Sequence, residues 1–263
     1  MFPLKDSIRI PFAPLTTYFI ILANAAVFLV QQLLNTRAAY EFSLHYGLVP
    51  RRYFDPEWAQ IQGLDPHNYL PFIAGTFMHG GWLHVVLNMW TLFIFGASLE
   101  GRIGRLGFLS FYLACGLIAS FAHAYFNMTS AVPALGASGA IAGVIGAYAT
   151  TFPRAKINIL ILIVIIPFFF KVPALAYALV WFGFQFLEGF WHLASPTAGS
   201  GIAWWAHIGG FAAGLALIPL WRWGRPDRTC DEEQIRQRGG LPEGGPGSVS
   251  DGAHAGWTRG PWG

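Results

Sequence analysis

Charge is scarce in this sequence. Asp, Glu, Lys and Arg make up only 11% of 263 residues, against roughly a quarter in soluble domains. That excludes an ordinary water-soluble surface. The formal net charge of +3 is too small to hold a polyanion, so nucleic acid is not expected as a partner. Cysteine is scarcer still: Cys115 sits inside an apolar run and Cys230 in a polar stretch, so no disulfide is expected and the redox compartment stays unread. There is no His-Glu-x-x-His, and no carboxylate or cysteine stands at ligand spacing beside His79, His84 or His207. Neither a metal nor another cofactor is expected.

What is abundant is apolar. Hydrophobic residues reach 54% and come in runs near the ~20 residues that cross a bilayer. The expected fold is all-α, a polytopic membrane protein with six spans, a large first loop and a disordered tail. Residues 1–15, with Lys5, Arg9 and three prolines, read as a cytoplasmic, interfacial approach. The membrane domain is expected over 16–225, and the Gly/Pro-rich stretch 226–263 as a disordered cytoplasmic tail. Spans are expected near 17–35, 82–99, 107–126, 138–151, 173–191 and 203–221. The first run is long for a signal-peptide core and reads as an uncleaved helix. The loop 36–80, rich in Tyr and Trp, reads as compact and partly embedded.

One segment resists this scheme. The Ile/Leu/Val/Phe run 157–170 is nearer in length to a re-entrant or interfacial piece than to a crossing. Charge arbitrates. With six spans, Lys5, Arg9, Arg102, Arg105, Arg154, Lys156, Arg222, Arg225 and Arg228 share one face, and Arg37, Arg51 and Arg52 the other. A seventh crossing would move the Arg222 cluster to the wrong side, so six spans with both ends cytoplasmic is the expectation.

That topology sends the second, fourth and sixth helices in from one face. Ser138 opens the fourth, in Gly136-Ala137-Ser138-Gly139, and His207 lies about one turn into the sixth. The 14-residue fourth helix covers only ~21 Å of a ~30 Å core, so its start is recessed to a similar depth. His84 and Asn88 on the second helix are four apart and share a face near the same entry. Polar groups at one depth of a bilayer line a cavity or pathway. A serine beside a histidine is a nucleophile with its base. The Ser138 N–H, the Asn88 amide and the His84 imidazole are candidate oxyanion donors. No acidic residue lies at matching depth, which leaves a dyad without a carboxylate. Gly139 and Gly143, and Gly210 and Gly214, are each four apart and let two helices approach closely.

Together, Gly136-Ala137-Ser138-Gly139, His207-x-x-Gly210-x-x-x-Gly214 and His79-x4-His84-x3-Asn88 resemble the rhomboid family of intramembrane serine proteases. Gly47-Leu48-Val49-Pro50 and Glu100-x-Arg102 are similar as well. The resemblance implies a six-helix bundle that cleaves transmembrane protein substrates among membrane lipids. It implies Ser138 as nucleophile, His207 as base and acid, and His84, Asn88 and Gly136 around the oxyanion. It also implies a structural role for Glu100 and Arg102, tying the second helix to the first loop or to neighbouring helix ends. Ala142 stands where some members carry a tyrosine that packs on the histidine.

Blander readings stay open beside these. Ser138 alone is an ordinary helix-start residue, and His84 and Asn88 would serve equally to bond loop carbonyls. His79 reads as structural and His123 as interfacial. Gln185 and Glu188 mark either a substrate gate or the outer interface, with the interface preferred. The rival functions are a rhomboid-like protein that binds or escorts membrane helices without cutting them, and a small transporter. A bacterial plasma membrane is expected from the absence of an Arg/Ser-rich leader. Oligomeric state is not legible.

Overall fold

The computed structural model describes residues 2–10, 12–163, 165–194, 203–225 and 229–231. Two short strands, β1 (Phe2–Asp6) and β2 (Ile8–Arg9), precede α1 (Leu15–Leu33). The first loop is built from α2 (Thr36–Tyr46), α3 (Arg51–Phe54), α4 (Pro56–Ile61), α5 (Pro71–Ala74) and a 3-10 turn, Gly75–Phe77. Then come α6 (Trp82–Ile103), α7 (Arg105–Phe126), α8 (Ser138–Thr151), β3 (Lys156–Ile163), β4 (Ile166–Pro173), α9 (Ala174–Ala194), α10 (Trp204–Arg222) and β5 (Cys230–Asp231). Four helices, α1, α6, α7 and α10, have the length and apolarity to cross a membrane, with a shorter apolar stretch in α9. With α8 they make six apolar helices, and the all-α polytopic architecture holds.

The helix at the centre is the shortest of the six. Every residue from Gly139 to Ala149 is buried, and α8 packs against α6, α7, α9 and α10. A helix apolar all round belongs in the interior. It fits there because its glycines let the neighbours in. A Cβ on Gly210 would run into the Gly139 carbonyl, and one on Gly214 into the Gly143 carbonyl. A Cβ on Gly143 would stand 2.7 Å from the Cys115 sulfur of α7 and 2.9 Å from the Gly210 carbonyl oxygen. Backbone therefore meets backbone between α8 and α10. Cys115 is buried and free, and Cys230 is half-buried and free.

Glu100, wholly buried near the end of α6, caps another helix. Its two carboxylate oxygens accept from Thr16 N–H at 3.0 Å, Thr17 N–H at 2.7 Å and the Thr17 hydroxyl at 2.8 Å. Those amides belong to the first turn of α1, where backbone donors lack helical partners and negative charge is favoured. Arg102 donates to the Arg225 carbonyl at 3.1 Å. The Glu100-x-Arg102 pair thus ties neighbouring helix ends together.

The run 157–170, expected as a re-entrant or interfacial piece and not a crossing, is an antiparallel hairpin, β3 with β4, extended by β1 in the order β1-β3-β4. Its Ile and Phe content favours strand, and Pro167 and Pro173 interrupt any helix. The hairpin returns to its starting level, since Ala174 N–H donates to the Ala155 carbonyl at 2.9 Å, so it adds no crossing. One expectation is corrected: Cys230–Asp231, part of the expected disordered tail, form a strand, β5, that pairs with β2 at Ile8–Arg9. Residues 226–228 and 232–263 lie outside the described residues.

β1 is anchored by Asp6. Its carboxylate accepts from the Ser98 hydroxyl at 2.6 Å and the Tyr148 hydroxyl at 2.8 Å. Burial pushes this carboxyl above its usual range, against those two hydrogen bonds.

Candidate active site

Ser138 is the first residue of α8, and the first loop decides where it stands. Leu48 and Ala134 exchange backbone hydrogen bonds, N–H to O, at 3.1 and 2.8 Å, and Arg51 N–H donates to the Ser130 carbonyl. Gly136 N–H donates to the Gly75 carbonyl at 2.9 Å. The segment leading to Ser138 is thereby sewn onto the first loop. Gly136 sits at φ +131°, a conformation that disfavours any side chain. A Cβ there would lie 2.8 Å from His84 Cε1, so glycine also makes room for that imidazole.

His207 Nε2 lies 2.7 Å from Ser138 Oγ. The close contact of α8 and α10 at their glycines brings the two side chains together across 69 residues of sequence. Among the described residues, the N–H groups of Ser138, Gly139 and Ala140 have no backbone partner, the first to have one being Ile141, which donates to the Ala137 carbonyl. They leave the positive end of α8 beside the serine hydroxyl.

A cavity of about 560 Å³ opens onto this pair. His84 and Asn88 of α6 line it with Ser138 and His207. The buried Asn88 amide nitrogen has no hydrogen-bond partner among the described residues, so a donor stands unspent at the cavity wall. His79 is buried, and neither of its ring nitrogens is partnered among the described residues. Burial, with His84 nearby, pushes its imidazole down to about 4, so it is neutral and packs edge-on against His84 at 5.1 Å. His123, expected at the interface, is buried on α7 instead. It lines a second small cavity together with Gly136 and Ser138.

Three features of the site escaped the sequence reading. Gln185 of α9, expected at the outer interface, places Oε1 2.6 Å from His207 Nδ1. The rings of Trp181 and Trp204 flank His207 at 5.9 and 6.0 Å. The tip of β1 forms another wall: Phe2 and Pro3 line the same cavity. Phe2 stacks on Trp90 at 5.7 Å, and Trp90 Nε1–H donates to the Pro3 carbonyl at 2.7 Å. Helix period alone could have put Trp181 and Gln185 on one face; nothing local could have placed β1. The Glu188 side chain lies outside the described residues.

A polar pair of this kind, open to a cavity and ringed by apolar helices, has the parts for acyl transfer: a nucleophile, a base in hydrogen-bond reach and unspent donors. Comparison with known proteins bears on the family. The family profile described as Rhomboid domain matches residues 66–223, more than half of the chain. Presenilin-associated rhomboid-like protein A, mitochondrial, of Danio rerio is 39% identical over 98 residues, 36% of this chain and 26% of that protein. Rhomboid protein 1, mitochondrial, of Saccharomyces cerevisiae is 30% identical over 155 residues, 56% of this chain and 40% of that protein. Rhomboid-like protein 11, chloroplastic, of Arabidopsis thaliana is 29% identical over 126 residues, 48% of this chain and 38% of that protein. The chain thus spans less than half the length of these relatives. They are mitochondrial and chloroplastic proteins, which overturns the expected bacterial plasma membrane. On the profile match and the order of its helices, the chain belongs to the rhomboid family.

Proposed function

We propose that this protein is a cofactor-free intramembrane serine endopeptidase that hydrolyses peptide bonds in or near the transmembrane segments of other membrane proteins. The observation that carries the reading is the 2.7 Å approach of Ser138 Oγ to His207 Nε2 at the wall of a cavity between apolar helices. Serine is a weak nucleophile until a base takes its proton, and a hydroxyl paired with imidazole at that depth has no other evident use.

In the proposed reaction His207 Nε2 accepts the Ser138 proton as Oγ attacks the scissile carbonyl carbon. The resulting oxyanion lies near the Ser138 N–H at the start of α8, with the Asn88 amide and the His84 imidazole as further donors. Such donors, fixed before the charge develops, are the largest single contribution in acyl transfer. The imidazolium then gives its proton to the leaving amine, the C–N bond breaks and an acyl-serine ester remains. Water, activated by the same imidazole, hydrolyses the ester and restores Ser138. Gly136 supplies space rather than a donor, since its N–H is already bonded to Gly75.

A helical substrate hides its carbonyls in its own hydrogen bonds. It must therefore unwind before Oγ can reach one, which favours small or helix-breaking residues near the cut. Both ends of the membrane domain are assigned to the arginine-rich face. The test is cleavage of a reporter span by purified protein in liposomes. Wild type is expected to cut, and Ser138→Ala and His207→Ala to be folded but inert. Cutting at the wild-type rate by either variant overturns the proposal.

A further inference from the structure

Gln185 is the polar group the dyad does not account for. It projects from α9, a helix on which Phe184, Phe186 and Leu187 are exposed. A carboxamide among them costs free energy unless it is partnered. Its partner is His207, with Oε1 2.6 Å from Nδ1, while the opposite ring nitrogen is 2.7 Å from Ser138 Oγ. The three groups form one chain across α9, α10 and α8.

The direction of that chain follows from its ends. For Nε2 to accept the serine proton, a neutral imidazole must carry its own proton on Nδ1. Gln185 Oε1 is an acceptor placed to hold that tautomer. The amide turned the other way would donate to Nδ1, force the ring proton onto Nε2 and leave Ser138 without a base. Among the described residues no carboxylate lines the cavity, and the ionisable groups that act on His207 are the imidazoles of His84 on α6 and His123 on α7. Neither supplies an acceptor at Nδ1.

We infer that Gln185 is the positioning residue of the site: it selects the Nδ1–H tautomer of His207 and steadies the imidazolium formed during proton transfer, so that the site works as a Ser-His-Gln triad. This rests on the proposed protease reading. A neutral carboxamide orients the ring as a triad carboxylate does, with weaker support for the imidazolium charge. Trp181, one turn before Gln185, lies 5.9 Å from the same ring. The posture of His207 therefore depends on α9 being packed against α10.

The experiment compares Gln185→Leu and Gln185→Glu with wild type, by cleavage of a reporter span across pH and by ¹⁵N NMR of His207. Gln185→Leu is expected to lower kcat roughly ten- to a hundredfold with KM unchanged, each tenfold being about 1.4 kcal/mol of barrier. It is also expected to lose the Nδ1–H signature. Gln185→Glu keeps an acceptor and adds a charge that stabilises imidazolium, so it is expected to retain cleavage with its acidic limb moved to higher pH. Wild-type kcat in Gln185→Leu, or an unmoved limb in Gln185→Glu, overturns the inference and leaves the protease reading intact. If the tautomer depends on Gln185 but no reporter is cut, the protease reading fails and the positioning role stands. Should the leucine variant not fold, the glutamate variant alone decides.

Discussion

Replacing Gly210 by alanine tests how the site is assembled. The new methyl group would collide with the Gly139 carbonyl, well inside the ordinary ~3.5 Å carbon–oxygen contact, so α8 and α10 must part by about 1 Å or more. Ser138 rides on α8 and His207 on α10, and their 2.7 Å hydrogen bond would stretch to the limit of bonding. A misplacement of that size costs roughly 10²-fold in rate, and overpacking costs about 1–3 kcal/mol of stability. Alanine is intrinsically a better helix former than glycine by about 1 kcal/mol, so a net loss of stability reports the clash alone. Gly183→Ala on α9 is the control, because nothing lies within 4 Å of a Cβ there. The assay is kcat/KM on a reporter span with thermal unfolding of the same samples. Gly210→Ala is expected to lose roughly a hundredfold in rate and to unfold earlier, and Gly183→Ala to match wild type in rate. A Gly210→Ala protein as fast as wild type and as stable as Gly183→Ala would refute the argument that glycine contact sets the spacing of the pair.

Glu100→Ala removes the acceptor of three hydrogen bonds at the start of α1 and is expected to cost roughly 2–4 kcal/mol; an unchanged unfolding temperature would contradict the capping role. Asp6 governs a pH dependence whose sign follows from its raised pKa. A carboxyl that holds its proton more tightly when folded stabilises the fold fully below its unfolded pKa of 3.8. That contribution is lost as pH rises toward the raised folded value. Wild type is therefore expected to lose stability relative to Asp6→Asn as pH climbs above about 4, and parallel curves would contradict it. Gly136→Ala is expected to reduce cleavage at least tenfold, through strain at φ +131° and contact with His84; wild-type rates would show that the imidazole has room to yield.

Much of this molecule was legible because a bilayer simplifies the reading. Six apolar runs gave six helices within a few residues, and α8 was expected over 138–151 and is found at Ser138–Thr151. Depth could be counted along each helix, which is how Ser138 and His207 were paired across 69 residues. What stayed hidden depends on rotation about a helix axis or on contacts between distant segments. Gln185 read as interfacial because length and hydropathy fix where a residue sits along α9, not which side it faces. The hairpin of β3 and β4 was ambiguous because a short run of Ile, Leu and Phe suits a strand and a buried helix equally. The first loop reads as compact and partly embedded, but only its exchange of hydrogen bonds between Leu48 and Ala134 shows that it braces the approach to Ser138. The site face of α8 was readable from small residues, whereas the strand at its cavity wall required a partner in β3, where Phe2 pairs with Leu160.

The most direct measurement of the central claim is covalent labelling. A fluorophosphonate applied to the protein in native-like lipid, followed by peptide mass spectrometry, is expected to modify Ser138 in wild type and to leave it unmodified in His207→Ala. Equal labelling of Ser138 without the histidine, or none in wild type, would contradict a serine activated by His207.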